Sequence, residues 1–332
     1  MSGDRASAEL LADRGAAAES AEFFRSRPFL DAENVTHTLR IETGDTELLA
    51  PLIVREIPGT DLLDAISPYG YPGLVEGSRG DARQSNSGEA PPGIPPTPLL
   101  DPQSVDFSAT GLVSAFVRHT LSEPPLAGTA ERNIVQIADP ALPPKSRSSD
   151  RNQVNKNRRA GYAVELVSGP ETSAAQRAGF LSAYEQTMRR TGAAERYFFG
   201  AVYFERLLES DRSWLAVASA PAGEIAAASL AVRSDGFLHY YLSGSTDAHL
   251  RDSPMKNVLA ALVELSAELG LPLNLGGGIS SGDRLEEFKR GFANREQPWH
   301  TSEIVCDREA YDRLSAGRDG GDFFPAYRAS GS

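Results

Sequence analysis

Residues 237–300 decide the fold, through FLHYYLSGS (237–245), SPMKNVLAALVELSAELG (253–270), LPLNLGGG (271–278), EFKRGF (287–292) and PWH (298–300). They read as an aromatic strand, a helix, a short apolar strand ending in three glycines, a helix with one inward-leaning lysine, and a final strand. For the first helix, Ser253 is placed as N-cap, Pro254 at the first helical position and Gly270 at the end. Met255, Val258, Leu259, Leu262, Val263 and Leu269 supply its buried stripe. This order predicts a cleft where strand ends face helix starts. Such a cleft can hold a carbonyl and an amine together, as acyl transfer requires.

Working back toward the N-terminus, Asp235-Gly236 marks a hairpin turn into the aromatic strand. Strands are expected at 214–220 and 224–233, and helices over 180–190 and 203–208. The segment 145–161, KSRSSDRNQVNKNRRAG, holds six Lys/Arg against one Asp and is expected to be helical, leading into the strand YAVELV. NIVQIAD and LLAPLIVREI read as strands, DFSATGLVSAFVRHTL as a helix, and residues 1 to about 22 as a short helix. Residues 76–104, rich in Pro, Gly and Ser, read as a long surface loop. The two halves repeat a weak theme in which GLVSAFVRHTL answers NVLAALVEL, so two similar α/β domains are expected, 1–168 and 169–332.

Composition bounds the function. The 332 residues suffice for two domains, and the net charge of −12 argues against broad nucleic-acid binding while allowing contact with an RNA end. One cysteine, Cys306, excludes an internal disulfide framework and a multi-cysteine metal site. It is expected to act as a small buried hydrophobe. His119 and His249 lack partners at metal-ligand spacing, so no metal is expected. No stretch approaches a membrane span and no signal peptide is evident, which makes the cytoplasm the default.

Several residues could carry chemistry. Lys289 lies beside the inner face of its helix, behind a capping arrangement of Asp283 and Glu286. It could stabilise an oxyanion or a phosphate, or be a lysine whose stem covers the core. His239 and Tyr241 share one side of their strand and Tyr240 the other. His239 could be a general base or a hydrogen-bonded structural histidine. Asn274 could orient a carbonyl. Gly276, Gly277 and Gly278 permit close approach of a ligand or simply lead into the next helix. Tyr69 and Tyr71, in SPYGYPG, could line an acceptor groove between the domains or form a packed aromatic turn. Arg151, Asn155 and Arg158 share one helical face, which could bind a phosphate-bearing acceptor or a tRNA 3′ end, or be a solvated face.

These residues together resemble a family. SPYGYPG (67–73), RNQVNKNRRAG (151–161), FLSAYEQTMRRTGA (180–193), HYYLSGS (239–245), SPMKNVLAALV (253–263), LNLGGG (273–278) and FKRGF (288–292) resemble the FemAB/FemX-like aminoacyltransferases. The likeness is close from about 145 to 300 and thin before that outside SPYGYPG. It implies an α/β (α+β) fold of two tandem GNAT-like domains, each a mixed sheet flanked by helices. It also implies transfer of an aminoacyl group from aminoacyl-tRNA to a peptidyl amine, with no metal, cofactor or covalent enzyme intermediate. The acceptor would be a peptidoglycan precursor, or a peptide or peptidyl-nucleoside natural product. The catalytic candidates are Lys289, which this resemblance favours through FKRGF, and His239 and Asn274, which rest on their residue types; the substrate-assisted chemistry the resemblance implies lowers the need for a base at His239. Tyr69, Tyr71, Arg151, Arg158, Tyr241, Gly276, Gly277 and Phe288 are the substrate-binding ones.

Within the same fold the rival donor is acyl-CoA, whose pyrophosphate needs an R/Q-x-x-G-x-G/A loop between a strand and a helix. Arg158–Ala163 and Arg189–Ala194 fit that pattern but precede a strand and end a helix, respectively. The strand–helix junction at 243–255 has no such loop, which favours tRNA. A catalytically silent peptide-binding module is the remaining alternative.

Overall fold

The computed structural model describes residues 6–14, 22–44, 46–77, 100–122, 124–278, 280, 282–318, 321 and 323–329. In chain order its main elements are β1 (Ser7–Leu11), α1 (Arg27–Ala32), β2 (His37–Thr43), β3 (Thr46–Glu56), β4 (Leu63–Ile66), β5 (Val75–Glu76), β6 (Leu112–Arg118) and β7 (Ala130–Ala138). There follow α2 (Ser148–Arg159), β8 (Ala163–Ser168), α3 (Ala174–Thr191), α4 (Ala201–Leu208), β9 (Ser213–Ser219), β10 (Ile225–Ser234) and β11 (Phe237–Ser245). The chain closes with α5 (Met255–Leu269), β12 (Leu273–Gly276), α6 (Arg284–Arg290), β13 (Arg295–Val305) and α7 (Arg308–Ser315).

These elements form two compact units. Unit 1 comprises 1–20, 34–131 and 300–332, and unit 2 comprises 21–33 and 132–299. The division expected near residue 168 therefore falls inside unit 2. In unit 1, β1, β2, β3 and β4 pair antiparallel in succession, β4 pairs parallel with β6, and β6 pairs antiparallel with β13. Its core is built from Leu39, Ile41, Leu48, Leu52, Leu112 and Val117. Cys306 packs against this core, and burial pushes its thiol up to about 12.

Unit 2 has the same plan. Strands β8, β9, β10 and β11 pair antiparallel in succession, β11 pairs parallel with β12, and β12 pairs antiparallel with β7. The crossover between the parallel pair is α5, whose Val258, Leu259, Leu262 and Leu265 pack on Ala216, Ala218, Ala227, Leu238 and Leu273. Alanines in the central strands let the helix approach closely. Gly244 of β11 lets α3 approach in the same way, because a Cβ there would stand 2.3 Å from the Ala183 carbonyl oxygen. The Asp235-Gly236 turn has both residues at positive φ, 50° and 77°, as the favoured two-residue hairpin requires.

Three local expectations are corrected. Residues 7–11 form an edge strand rather than a helix, because they pair with β2 from Ser7↔Glu42 to Leu11↔Thr38. The segment read as a helix around Leu112, Ala115, Phe116 and His119 contains β6. Flanked by strands on both edges and buried at every position from Leu112 to Val117, it shows no alternation of period two. The proposed repeat of GLVSAFVRHTL and NVLAALVEL thus matches a strand to a helix. Finally, Ser253 adopts φ 49° and its side chain does not cap α5. Its backbone carbonyl instead accepts from Lys256 N.

The expected loop 76–104 lies mostly outside the described residues.

Candidate functional site

The end of β12 turns through the glycines, and α6 sets a lysine against them. Asp283 starts α6, its carboxylate accepting from Glu286 N at 2.8 Å. Glu286 does not close the reciprocal box, because its buried carboxylate accepts from Gly282 N at 2.8 Å and meets Arg290. One turn on, Lys289 is 8% exposed and its Nζ donates to the Gly277 carbonyl at 2.6 Å. Burial lowers the amine from 10.5 to about 8, while the Asp283 carboxylate pulls it upward. The amine therefore remains largely protonated at neutral pH, with two further N–H donors.

Three side chains hold the glycine turn. Asn274, 1% exposed, accepts from Gly276 N through Oδ1 at 2.8 Å. Lys289 holds the Gly277 carbonyl. Asn133, on β7, donates to the Gly278 carbonyl at 2.9 Å. Gly276 has φ 74°, and a Cβ there would stand 3.1 Å from Lys289 Nζ. A Cβ on Gly277 would stand 2.4 Å from the Asn133 amide nitrogen. Glycine at these two positions is thus a requirement of the turn and of what touches it.

Behind Asn274 lies His239. Its Nε2 is 3.2 Å from the Ser234 carbonyl, which can only accept, so the neutral ring carries its proton there. Nδ1 then accepts from Asn274 Nδ2 at 3.1 Å. Burial lowers this histidine to about 4, although the Ser234 carbonyl and Asp235 pull the other way. In this arrangement the ring is neutral and holds Asn274, and both its nitrogens are committed. As expected, His239 and Tyr241 share a face. That face is covered by Phe24, at 5.0 Å from the His239 ring and 5.3 Å from the Tyr241 ring. Tyr241 Oη lies 3.2 Å from Tyr203 Oη, which donates to Glu33 at 2.5 Å. Tyr241 is thereby packed into the interior of unit 2. Tyr240, on the other face, packs toward α5.

Phe288 packs partly buried against the same core, its ring 6.1 Å from that of Phe292.

Arg151, Asn155 and Arg158 do come together. They border a cavity of about 480 Å³ between α2 and α5. Arg151 donates to the Ser146 carbonyl and Oγ, and Arg158 pairs with Glu264 at 3.1 Å. What docks this basic helix is a buried amide cluster. Asn157 Nδ2 donates to Asn257 Oδ1 at 2.8 Å and to the Asp252 carbonyl at 2.7 Å, and Asn257 Nδ2 donates to the Val154 carbonyl at 3.2 Å. Tyr69 and Tyr71 lie in unit 1, half-buried in the segment that follows β4.

Sequence reasoning missed Asn133, Asn157 and the aromatic segment at 23–29. Phe23, Phe24 and Phe29 were legible as a cluster of aromatics, but nothing local tied them to β11. For Asn133 no local signal exists.

Residues 144–290 match the acetyltransferase (GNAT) domain family. Among solved structures, FemX is 11% identical, with 92% of this chain and 99% of FemX covered at a TM-score of 0.59. The C-terminal domain of a putative lysylphosphatidylglycerol synthetase from Agrobacterium fabrum is 14% identical, with 89% of this chain and 91% of that one covered at a TM-score of 0.55. No protein of curated function matches by sequence. The fold is the tandem GNAT-like one, and the likeness to FemX expected from the sequence recurs in the structure. Among the described residues no helix is long and apolar enough to cross a membrane.

Proposed function

We propose that this chain transfers an aminoacyl group from an aminoacyl-tRNA to the amine of a peptidyl acceptor. The observation that carries the reading is the buried Lys289 amine against the glycine turn, on an acyltransferase fold. The acceptor amine attacks the aminoacyl ester carbonyl, whose oxygen becomes an oxyanion. The oxyanion then re-forms the carbonyl as the ester C–O bond breaks, and the proton shed by the attacking amine passes to the departing tRNA oxygen, which leaves as a hydroxyl. The remaining N–H donors of Lys289 suit the oxyanion, while positioning supplies much of the remaining acceleration. His239 and Asn274 act through the turn, not on the reacting atoms. Arg151 and Arg158 are the basic groups available to a phosphate on the acceptor or on the RNA end.

The start of α5 favours tRNA over acyl-CoA. A CoA pyrophosphate would need free N–H groups there. Lys256 N and Asn257 N instead donate to the Ser253 and Pro254 carbonyls, and Asn257 is buried beneath α2. The acetyltransferase family match keeps acyl-CoA as the second reading.

The test is transfer of labelled amino acid from charged tRNA to a nucleotide-linked muropeptide or a peptidyl nucleoside. Transfer should vanish with RNase, and Lys289→Ala should slow it by about 10²–10³-fold while the protein remains folded. Activity that survives RNase and requires acyl-CoA would overturn the proposal.

A further inference from the structure

The cavity between α2 and α5 has a lining that phosphate binding alone does not explain. Its walls include Leu142, Val154, Ala260, Val263 and Ala267, with Phe292 also lining it. Ala260 and Val263 pack at the margin of the α5 core face and are only partly buried by it. With the exposed Ala267 they carry an apolar edge into the cavity, spaced along the helix at i, i+3 and i+7. Leu142 stands 41% exposed beside it.

The charged lining residues are Lys145, Arg151 and Arg158, against Asp139 and Glu264. Asp139 is answered by Arg295 at 3.3 Å and Glu264 by Arg158 at 3.1 Å. In a chain of net charge −12 this leaves a local cationic excess beside an aliphatic groove. Arg151 spends part of its guanidinium on Ser146 and retains further donors.

We propose that this groove binds a single aliphatic chain ending in an oxyanion, a carboxylate or a phosphate. The chain would lie along Val154, Val263 and Ala267, and the head group would meet Arg151 and Arg158. An aliphatic body fits better than a nucleobase. Phe292 is the one aromatic residue of the lining, and at 7% exposure it offers no open face for stacking. The volume suits a small ligand. This binding does not depend on the aminoacyl-transfer reading.

The test is calorimetric titration of the full chain with decanoate and with decyl phosphate, using acetate, inorganic phosphate and decyl glucoside as controls. Both amphipathic anions should bind at one site, and the tighter of the two identifies the head group. Arg151→Gln together with Arg158→Gln should weaken them by about tenfold or more. Ala267→Trp, at an exposed position of α5, should remove binding while circular dichroism shows the fold intact. Four results would each overturn the proposal. These are no saturable binding, acetate or inorganic phosphate binding as tightly as the long-chain anions, decyl glucoside binding equally well, or Ala267→Trp leaving the affinity unchanged.

Discussion

Units 1 and 2 share one strand plan and differ in what they hang on it. Each has four antiparallel strands, a fifth parallel to the fourth, and a sixth antiparallel to the fifth. In each, the sixth strand comes from chain that follows the other unit's fifth strand in sequence, β7 for unit 2 and β13 for unit 1. Unit 2 joins its parallel pair with a full helix, α5, and ends its fifth strand in three glycines under a lysine. Unit 1 ends its fifth strand at Arg118 and His119, with His119 buried against Ser302 Oγ at 2.7 Å. The lesson is that a shared topology sets where strands end, whereas chemistry depends on the few residues placed there.

The largest test of that contrast is Phe24→Ala. It should destabilise unit 2 by about 3–5 kcal/mol, because a fully buried ring touching His239 and Tyr241 is lost. Both tryptophans, Trp214 and Trp299, lie in unit 2, so the tryptophan-fluorescence transition in denaturant should shift. An unmoved fluorescence midpoint would show that this segment does not hold unit 2 together.

A second test uses the two buried histidines. His119 in unit 1 and His239 in unit 2 are both lowered by burial to about 4. Between that value and 6.5 the unfolded chain binds the more protons, so stability rises with pH and is lost on acidification through this window. Each histidine should account for up to about 3 kcal/mol of acid destabilisation. Replacing either by Gln should flatten the pH dependence of its own unit's unfolding between pH 6.5 and 4. Lys289 adds an alkaline counterpart. Its folded value near 8 lies below 10.5, so stability should rise between those values in the native protein and not in Lys289→Met.

A third test separates steric fit from chemistry in the glycine turn. Gly277→Ala should cost about 1–3 kcal/mol through its clash with the Asn133 amide. In the Asn133→Ala background the same substitution should cost much less, and additive costs would exclude that contact as the cause.

The smallest test compares two caps. Asp283 caps α6 in unit 2 and Asp307 caps α7 in unit 1, each accepting from the backbone N–H three residues on. Alanine at either should cost about 1 kcal/mol. Only Asp283→Ala should also slow aminoacyl transfer, because only α6 carries the lysine.

Much of unit 2 was legible because its signals are local. Asp235-Gly236 dictates its turn, Gly270 stops α5 at φ 66°, and the apolar spacing of α5 marks its core face. Lys289 was legible as a candidate for the same reason, since its helix, its cap and its glycines lie within sixteen residues of chain. Where partners are remote, the reading failed. Leu112–Val117 can be read as helix or strand until β4 and β13 cover its edges. Ser253 has the composition of a cap, but the chain enters α5 through a left-handed turn that points its side chain elsewhere.

The sequence by itself determined the strand–helix–strand core of unit 2 and the basic α2, set by short-range propensity and periodicity, and its family resemblance implied the tandem α/β plan. It marked Lys289 and the glycines as separate candidates, and only the structure joined them. Only the tertiary structure decided that the sixth strands are exchanged, that Phe24 covers His239, that Asn133 holds Gly278, and that α2 and α5 enclose a groove. Those contacts join residues far apart in sequence, and a buried polar group or ring finds its partner only when the strands and helices close around it.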